Sequence, residues 1–305
     1  MIIMTADALR LDRALSSLQG LRTGDALGAR FFLPDHHPLL RRRQVPAGPW
    51  RWTDDTEMAA SVVAVLGRFG EADEDALAAA FAEHYDEDRG YGVTVGRLLR
   101  RIREDGADWR ESAAALFGGE GSWGNGAAMR VAPLGAWFAA DVERAAVEAR
   151  RSAGVTHRHR EAVCGAVAVA VAAALRAGAR DRTPLCGAEL LDGVVRAVPR
   201  SAVRAGLRRA RDLLDYADSV TVAAVLGCGR RTGAHDTVPF ALWAAARHGG
   251  DFEAAFWASA QAGGDVDTIC AIAGGVLAAA PGAAPPPEWL AETEPLPDWV
   301  PRTGR

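Results

Sequence analysis

The chain has 305 residues, enough for one large domain or two medium ones with a sizeable core. Its formal charge of −4, from 35 basic and 39 acidic residues, excludes a general electrostatic attraction to nucleic acid or membrane surfaces, so any such partner would be held locally. Four cysteines form no C-x-x-C pair, and Cys164, Cys228 and Cys270 lie in small apolar stretches, which suits buried thiols in a reducing compartment.

Residues 1–21 lack the basic-then-apolar order of an export signal, since Asp7, Arg10, Asp12 and Arg13 interrupt them. The longest uncharged apolar run, 162–175, is short for a membrane span. A soluble cytoplasmic protein with no membrane partner is expected.

Leu9, Leu11, Leu15 and Leu18 predict a first helix over 6–21 that ends near Gly20 and Gly24, with Asp25 in the following turn bonding backbone rather than reacting. Pro34, Pro38, Pro46, Gly48 and Pro49 make 29–52 a long loop. Helical periodicity then recurs over 55–68, 73–86, 93–104, 109–116, 127–138, 143–151, 160–177, 187–196, 203–214, 219–226, 236–248, 252–262 and 268–280. Strand-like alternation is scarce and no internal repeat is visible, so the expected fold is all-α: one compact orthogonal helical bundle over 1–280. The helices at 160–177 and 268–280, small and apolar all round, belong at its centre. Residues 281–305, rich in Pro, read as an irregular surface tail.

Two acidic segments, Thr53-Asp54-Asp55-Thr56 and Asp265-Val266-Asp267-Thr268, each open directly into a helix. Taken singly, each is an ordinary helix cap. Brought together, their carboxylates would repel unless protonated or bound to cations, which is the chemistry of a hard-metal site. Gly118-Gly119-Glu120-Gly121-Ser122-Trp123-Gly124-Asn125-Gly126 offers unhindered backbone N–H groups ahead of a helix start, a cradle for a diphosphate or simply a flexible loop. Trp123 favours the cradle, because an aromatic face there can pack on a ribose or base. Arg89-Gly90-Tyr91-Gly92 repeats the composition on a smaller scale.

Gly24-Asp25-Ala26-Leu27-Gly28, Trp52-Thr53-Asp54-Asp55-Thr56, Gly124-Asn125-Gly126 with Met129-Arg130, Thr156-His157 and Gly263-Gly264-Asp265-Val266-Asp267-Thr268 together resemble the ordered motifs of the ADP-ribosylglycohydrolase family, over residues 15–280. The resemblance implies a binuclear centre of two Mg²⁺ or Mn²⁺ ions and hydrolysis of the bond from C1″ of ADP-ribose to an acceptor. Its implied metal ligands are Thr53, Asp54, Asp55, Asp265, Asp267 and Thr268, all hard oxygen donors. Asp54, Asp55 and Asp267 would be catalytic, with Asp55 as the base. Gly90, Tyr91, Gly92, Gly121, Ser122, Trp123, Gly124, Asn125, Gly126, Met129 and His157 would bind substrate, the backbone of 121–125 holding the diphosphate and His157 a phosphate or the adenosine.

Arg89-Gly90-Tyr91-Gly92 and the Ser-Trp pair of the glycine loop look most like the serine-linked branch, which implies an O-linked acceptor. That branch carries a Glu where this chain has Phe32, and Asp35 is the nearest replacement in sequence. The alternatives are an arginine-linked hydrolase and a catalytically weak ADP-ribose-binding protein. The implied partners are ADP-ribose and an ADP-ribosylated protein or nucleic acid, the latter's phosphates meeting Arg41-Arg42-Arg43 with His36 and His37. A monomer is expected.

Overall fold

Gly20, Gly24 and Gly28 recur every fourth residue, so on a helix they share one face. The structure, a computed structural model, describes residues 5–139, 141–179 and 185–302. In it all three glycines lie inside one unbroken helix, α1 (Ala6–Ala29), which packs along α15 (Val266–Ala278). A Cβ on Gly20 would stand 2.3 Å from the Gly274 carbonyl oxygen, and one on Gly24 2.2 Å from that of Cys270. The glycines therefore allow backbone-to-backbone approach rather than ending the helix, and the expected stop near Gly24 is corrected. Asp25 is accordingly a helical residue, not a turn residue.

After α1 the proline-rich stretch contains two 3₁₀ turns, Arg30–Phe32 and Pro34–His36, and the short α2 (His37–Arg42). Thr53 caps α3 (Asp54–Phe69), and Asp73 and Asp108 cap α4 (Glu74–His84) and α6 (Trp109–Ala114) on either side of α5 (Val93–Asp105). A single helix over 127–138 does not form. Asn125–Ala127 is a 3₁₀ turn, and α7 (Ala132–Trp137) begins later with Pro133 in its first turn, where a missing N–H costs nothing.

The centre is α9 (Arg160–Gly178), flanked by α7, α8 (Val142–Gly154), α10 (Gly187–Ala197) and α13 (Ala234–His248). It is long and apolar enough to cross a bilayer, yet every residue from Ala166 to Ala174 is buried within the bundle. Helices α11 (Ala202–Asp212), α12 (Ser219–Leu226) and α14 (Phe252–Ala260) complete the packing. Among the described residues there is no strand, and isolated bridges join Trp50 to Thr293 and Gly124 to Gly233.

The C-terminal segment departs from the irregular surface tail expected. It forms α16 (Pro287–Glu292), whose Trp289 is buried against Phe252, Phe256 and Trp257. The Trp50 N–H donates to the Glu292 carbonyl at 2.7 Å, and the Glu294 N–H donates to the Trp50 carbonyl at 2.9 Å. Arg89 grips Glu294 through both terminal nitrogens, at 2.8 and 2.9 Å, while its guanidinium lies 3.4 Å over the Trp52 ring. The tail thus braces the strip that leads into α3. Residues 1–4 and 303–305, which the expected domain and tail included, lie outside the described residues.

Candidate active site

Asp25 sits on the buried face of α1 at the point where the chain enters α3. It accepts from the Thr53 and Thr56 N–H groups at 2.9 and 3.2 Å, and from their hydroxyls at 2.8 and 2.5 Å. These contacts lock the start of α3 onto α1. The Thr53 hydroxyl has one hydrogen, yet lies 2.8 Å from Asp25 Oδ1 and 3.1 Å from Asp55 Oδ2. One of those oxygen pairs therefore requires a proton or a cation between its members.

The second acidic segment arrives on α15. The Asp265 N–H donates to the Cys228 carbonyl at 2.9 Å, and Asp265 Oδ2 accepts from Asn125 Nδ2 at 2.6 Å. Asp267 Oδ1 accepts from the Thr268 N–H at 2.8 Å, while the Thr268 hydroxyl points at Asp55 Oδ2 from 3.4 Å. Packing α1 against α15 so closely brings one oxygen each from Asp25, Asp55 and Asp267 within 4.8 Å of one another. Asp55 Oδ1 is buried there with no hydrogen-bond partner.

Burial raises every carboxyl in the cluster, and repulsion from neighbouring carboxylates adds to it at Asp54, Asp55 and Asp267. Asp54 is pushed up to about 8 by burial, then Asp25 and Asp265. Asp25 rises to about 6 through burial, against the pull of its threonine hydrogen bonds. Asp55 and Asp267 stand well above the ordinary carboxylate value, through burial first and their neighbours second. A group of hard oxygen donors that cannot all be charged, with one buried oxygen left without a donor, fits divalent cations.

A cleft of about 460 Å³ opens above this cluster. Asp54, Asp55, Asp265, Asp267 and Thr268 line its carboxylate end, and Gly90, Gly92, Ser122, Trp123, Gly124, Asn125, Gly126, Met129 and His157 line the remainder. Three expected site residues stand outside the lining. Thr53 is turned to Asp25 and Asp55, Tyr91 donates its hydroxyl to Glu57 at 2.7 Å, and Gly121 backs onto His159, its φ of +77° requiring glycine. Phe32 is exposed and lies in a separate hollow beside Gly263 and Gly264, and neither it nor exposed Asp35 lines the cleft.

The N–H cradle is narrower than expected. Gly121 N donates to Leu116 O, Gly124 N to Ser122 Oγ and Asn125 N to Thr232 O, so these three are already engaged. Among the described residues the Ser122 and Trp123 N–H groups have no partner. Nor does a full-length helix follow the loop, because the 3₁₀ turn at Asn125 intervenes.

His157 stands behind the loop, close enough that a Cβ on Gly126 would meet its ring at 2.8 Å. Its orientation is set by buried Arg130, which donates to the Thr156 hydroxyl at 2.9 Å; that hydroxyl lies 2.7 Å from His157 Nδ1. With its oxygen accepting from Arg130, Thr156 has its own hydrogen available for Nδ1, an arrangement that would place the proton of the imidazole on Nε2. Burial, with Arg130 nearby, lowers His157 to about 3, so the ring is a neutral donor.

Sequence reasoning missed Phe117, Arg231 and Thr232, which also line the cleft. Phe117 and Trp123 form an exposed aromatic pair with ring centroids 4.7 Å apart. The signal for Phe117 was its place immediately before Gly118-Gly119. That stretch turns through left-handed backbone, with Phe117 at φ +51°, which holds the ring outward.

A family model described as ADP-ribosylglycohydrolase matches residues 6–304. The ADP-ribosylhydrolase ARH3 of Homo sapiens is 31% identical over 273 residues, covering 79% of this chain and 74% of that protein. Its Gallus gallus counterpart is 36% identical over 175 residues, and there the match spans about half of either protein, 51% of this chain and 47% of the other. The ADP-ribosylarginine hydrolase Tri1 of Pseudomonas putida (strain GB-1) is 28% identical over 301 residues, 92% of this chain and 74% of that protein. A solved structure of an ADP-ribosylglycohydrolase-related protein complex is similar with a TM-score of 0.64 at 25% identity, covering 94% of this chain and 93% of that one.

Proposed function

The chain belongs to the ADP-ribosylglycohydrolase family, a family of glycosidic-bond hydrolases, and from that premise we propose that it cleaves the bond between C1″ of ADP-ribose and an acceptor oxygen, using two Mg²⁺ or Mn²⁺ ions. The observation that carries this reading is Asp55 Oδ1, buried without a donor at the floor of the cleft, beside carboxylates from two other helices. Asp54, Asp55, Asp265, Asp267 and Thr268 hold the ions, with Thr53 fixing Asp55 and Asp25 fixing Thr53 and Thr56. The ions supply Lewis acidity toward water and the positive charge that lets the clustered carboxylates stay ionised.

The chain's own residues do the rest. The Ser122 and Trp123 N–H groups and His157 Nε2–H bind the diphosphate oxygens, three neutral donors aimed at an anion. Trp123 and Phe117 hold the adenosine by its apolar face. Asp55 takes the proton of the water that adds to C1″, and the bond to the acceptor oxygen breaks with its electron pair staying on that oxygen. The acceptor leaves as a hydroxyl by taking up the proton held by Asp55 or one from solvent, and the carboxylates around the site stabilise the oxocarbenium-like charge at the ribose. All four cysteines are free, which supports action in the reducing cytoplasm.

Release of ADP-ribose from serine-linked, arginine-linked and nucleic-acid-linked substrates, each with Mg²⁺, Mn²⁺ or chelator, tests the reading. Chelator-sensitive release from the serine linkage is expected. Release from the arginine linkage alone would favour the arginine-linked reading, which the likeness to the Pseudomonas putida hydrolase supports. Binding of ADP-ribose with no release from any substrate would favour the binding-protein reading.

A further inference from the structure

Arg231 lines both the cleft and a second groove of about 490 Å³, formed by α11, α12 and the turn between α12 and α13. This groove leaves the cleft at the carboxylates. The Cys228 carbonyl holds the Asp265 N–H, and a Cβ on Gly229 would lie 2.4 Å from the Cβ of Asp265. The turn that positions Asp265 therefore also lines the groove, beside the carboxylate end of the cleft.

The groove's charge is unbalanced. Arg209, Arg230 and Arg231 line it, are exposed, and form no ion pair among the described residues. Some exposed arginines elsewhere find carboxylates, as Arg110 does in Asp75 and Arg144 in Glu71, whereas this groove gathers three that do not. Asp236, the carboxylate in the groove lining, is engaged by the Arg231 N–H at 2.9 Å. Val220 and Val225, apolar side chains 55% and 51% exposed, line the same groove. No Phe, Tyr or Trp lines the groove among the described residues, so it lacks the stacking platform a single-stranded nucleic acid uses.

We propose that this groove receives the acceptor itself, an acidic polypeptide segment whose carboxylates meet Arg209 and Arg230 and whose apolar side chains rest on Val220 and Val225. The assignment rests on the hydrolase reading above. It makes flanking charge a determinant of substrate choice that lies outside the catalytic cleft.

The test compares peptides carrying one ADP-ribosyl group between acidic, neutral or basic flanks, an ADP-ribosylated oligonucleotide, and ADP-ribose bearing only a small leaving group. Each is given to the wild-type protein and to the Arg209→Glu/Arg230→Glu variant. The expected KM for the acidic peptide is about three- to tenfold below that for the neutral one, the range two exposed ion pairs provide, and the difference shrinks as salt rises. The variant is expected to lose this preference while turning over the small substrate as the wild type does. Equal KM values for acidic and neutral peptides, a preference that survives in the variant, or preferred cleavage of the oligonucleotide would overturn the proposal. If the small substrate is not turned over, the hydrolase reading falls separately, and fluorescence anisotropy of the unmodified acidic peptide on the same two proteins decides the groove: tighter binding to the wild type upholds it, equal binding overturns it.

Discussion

His157 illustrates how a single residue acquires its chemistry from what stands behind it. Histidine in water titrates near 6.5, but this one is lowered to about 3 by burial, with Arg130 nearby, and its Nδ1 lies against the Thr156 hydroxyl that Arg130 also engages. Because the folded value lies below the unfolded one, protons enter the unfolded chain first. The residue's contribution to stability is intact above 6.5 and is lost as pH falls from there toward about 3. Ring ¹⁵N shifts are expected to report one neutral tautomer, protonated on Nε2, from pH 8 down to pH 5; a midpoint near 6.5 would contradict the arrangement. His157→Gln, which keeps a neutral donor, is expected to bind ADP-ribose more tightly than His157→Ala by about three- to tenfold, the worth of one hydrogen bond. The candidate role of His157 was legible in sequence through the Thr-His pair within a set of motifs. That of Phe117 was signalled only by its place before Gly118-Gly119, since a Leu-Phe pair otherwise reads as core until the left-handed backbone turns the ring outward.

At the scale of elements, periodicity located most of the helices, and the misreadings share a cause. Gly20 and Gly24 were read as stops because glycine is a poor helix former, whereas α1 uses them to approach Gly274 and Cys270 of α15, a contact distant in the chain that no local signal encodes. The tail was read as irregular from its prolines, yet Trp289 finds an aromatic cluster on α14 and Glu294 finds Arg89. The bundle centre was legible because α9 is apolar on every side. Gly24→Ala forces a methyl group into the Cys270 carbonyl and is expected to cost about 1–3 kcal/mol, seen as a Tm lower by several degrees. Activity should fall further than stability alone explains, because the helix that shifts carries Asp25. A Tm and turnover matching the wild type would show that the two helices are not in the contact described.

For the whole molecule, the close pairing of α1, α3 and α15 concentrates carboxylates whose folded values exceed their unfolded ones, Asp25 near 6 and Asp54 near 8 against 3.8. The metal-free fold binds protons more tightly than the unfolded chain, so this cluster's contribution is intact below about 4 and is lost as pH rises through about 8. Bound cations reverse that trend by supplying the missing positive charge. Differential scanning fluorimetry is expected to show a Mg²⁺- or Mn²⁺-induced rise in Tm that is larger at pH 8 than at pH 5; an equal rise at both would mean that the ions bind elsewhere. The two acidic segments were visible in sequence as separate helix starts, and their union depends on the glycine face that sequence reasoning misread.

The central claim is that this union forms a cation-dependent hydrolytic centre. It is tested most directly by ADP-ribose release from an ADP-ribosylated substrate after chelation and after return of Mg²⁺ or Mn²⁺, for the wild type and for Asp267→Ala. Activity should vanish with chelator, return with the ion, and be absent throughout in a variant whose helical circular dichroism matches the wild type. Undiminished release in chelator, or full turnover by Asp267→Ala, would contradict it.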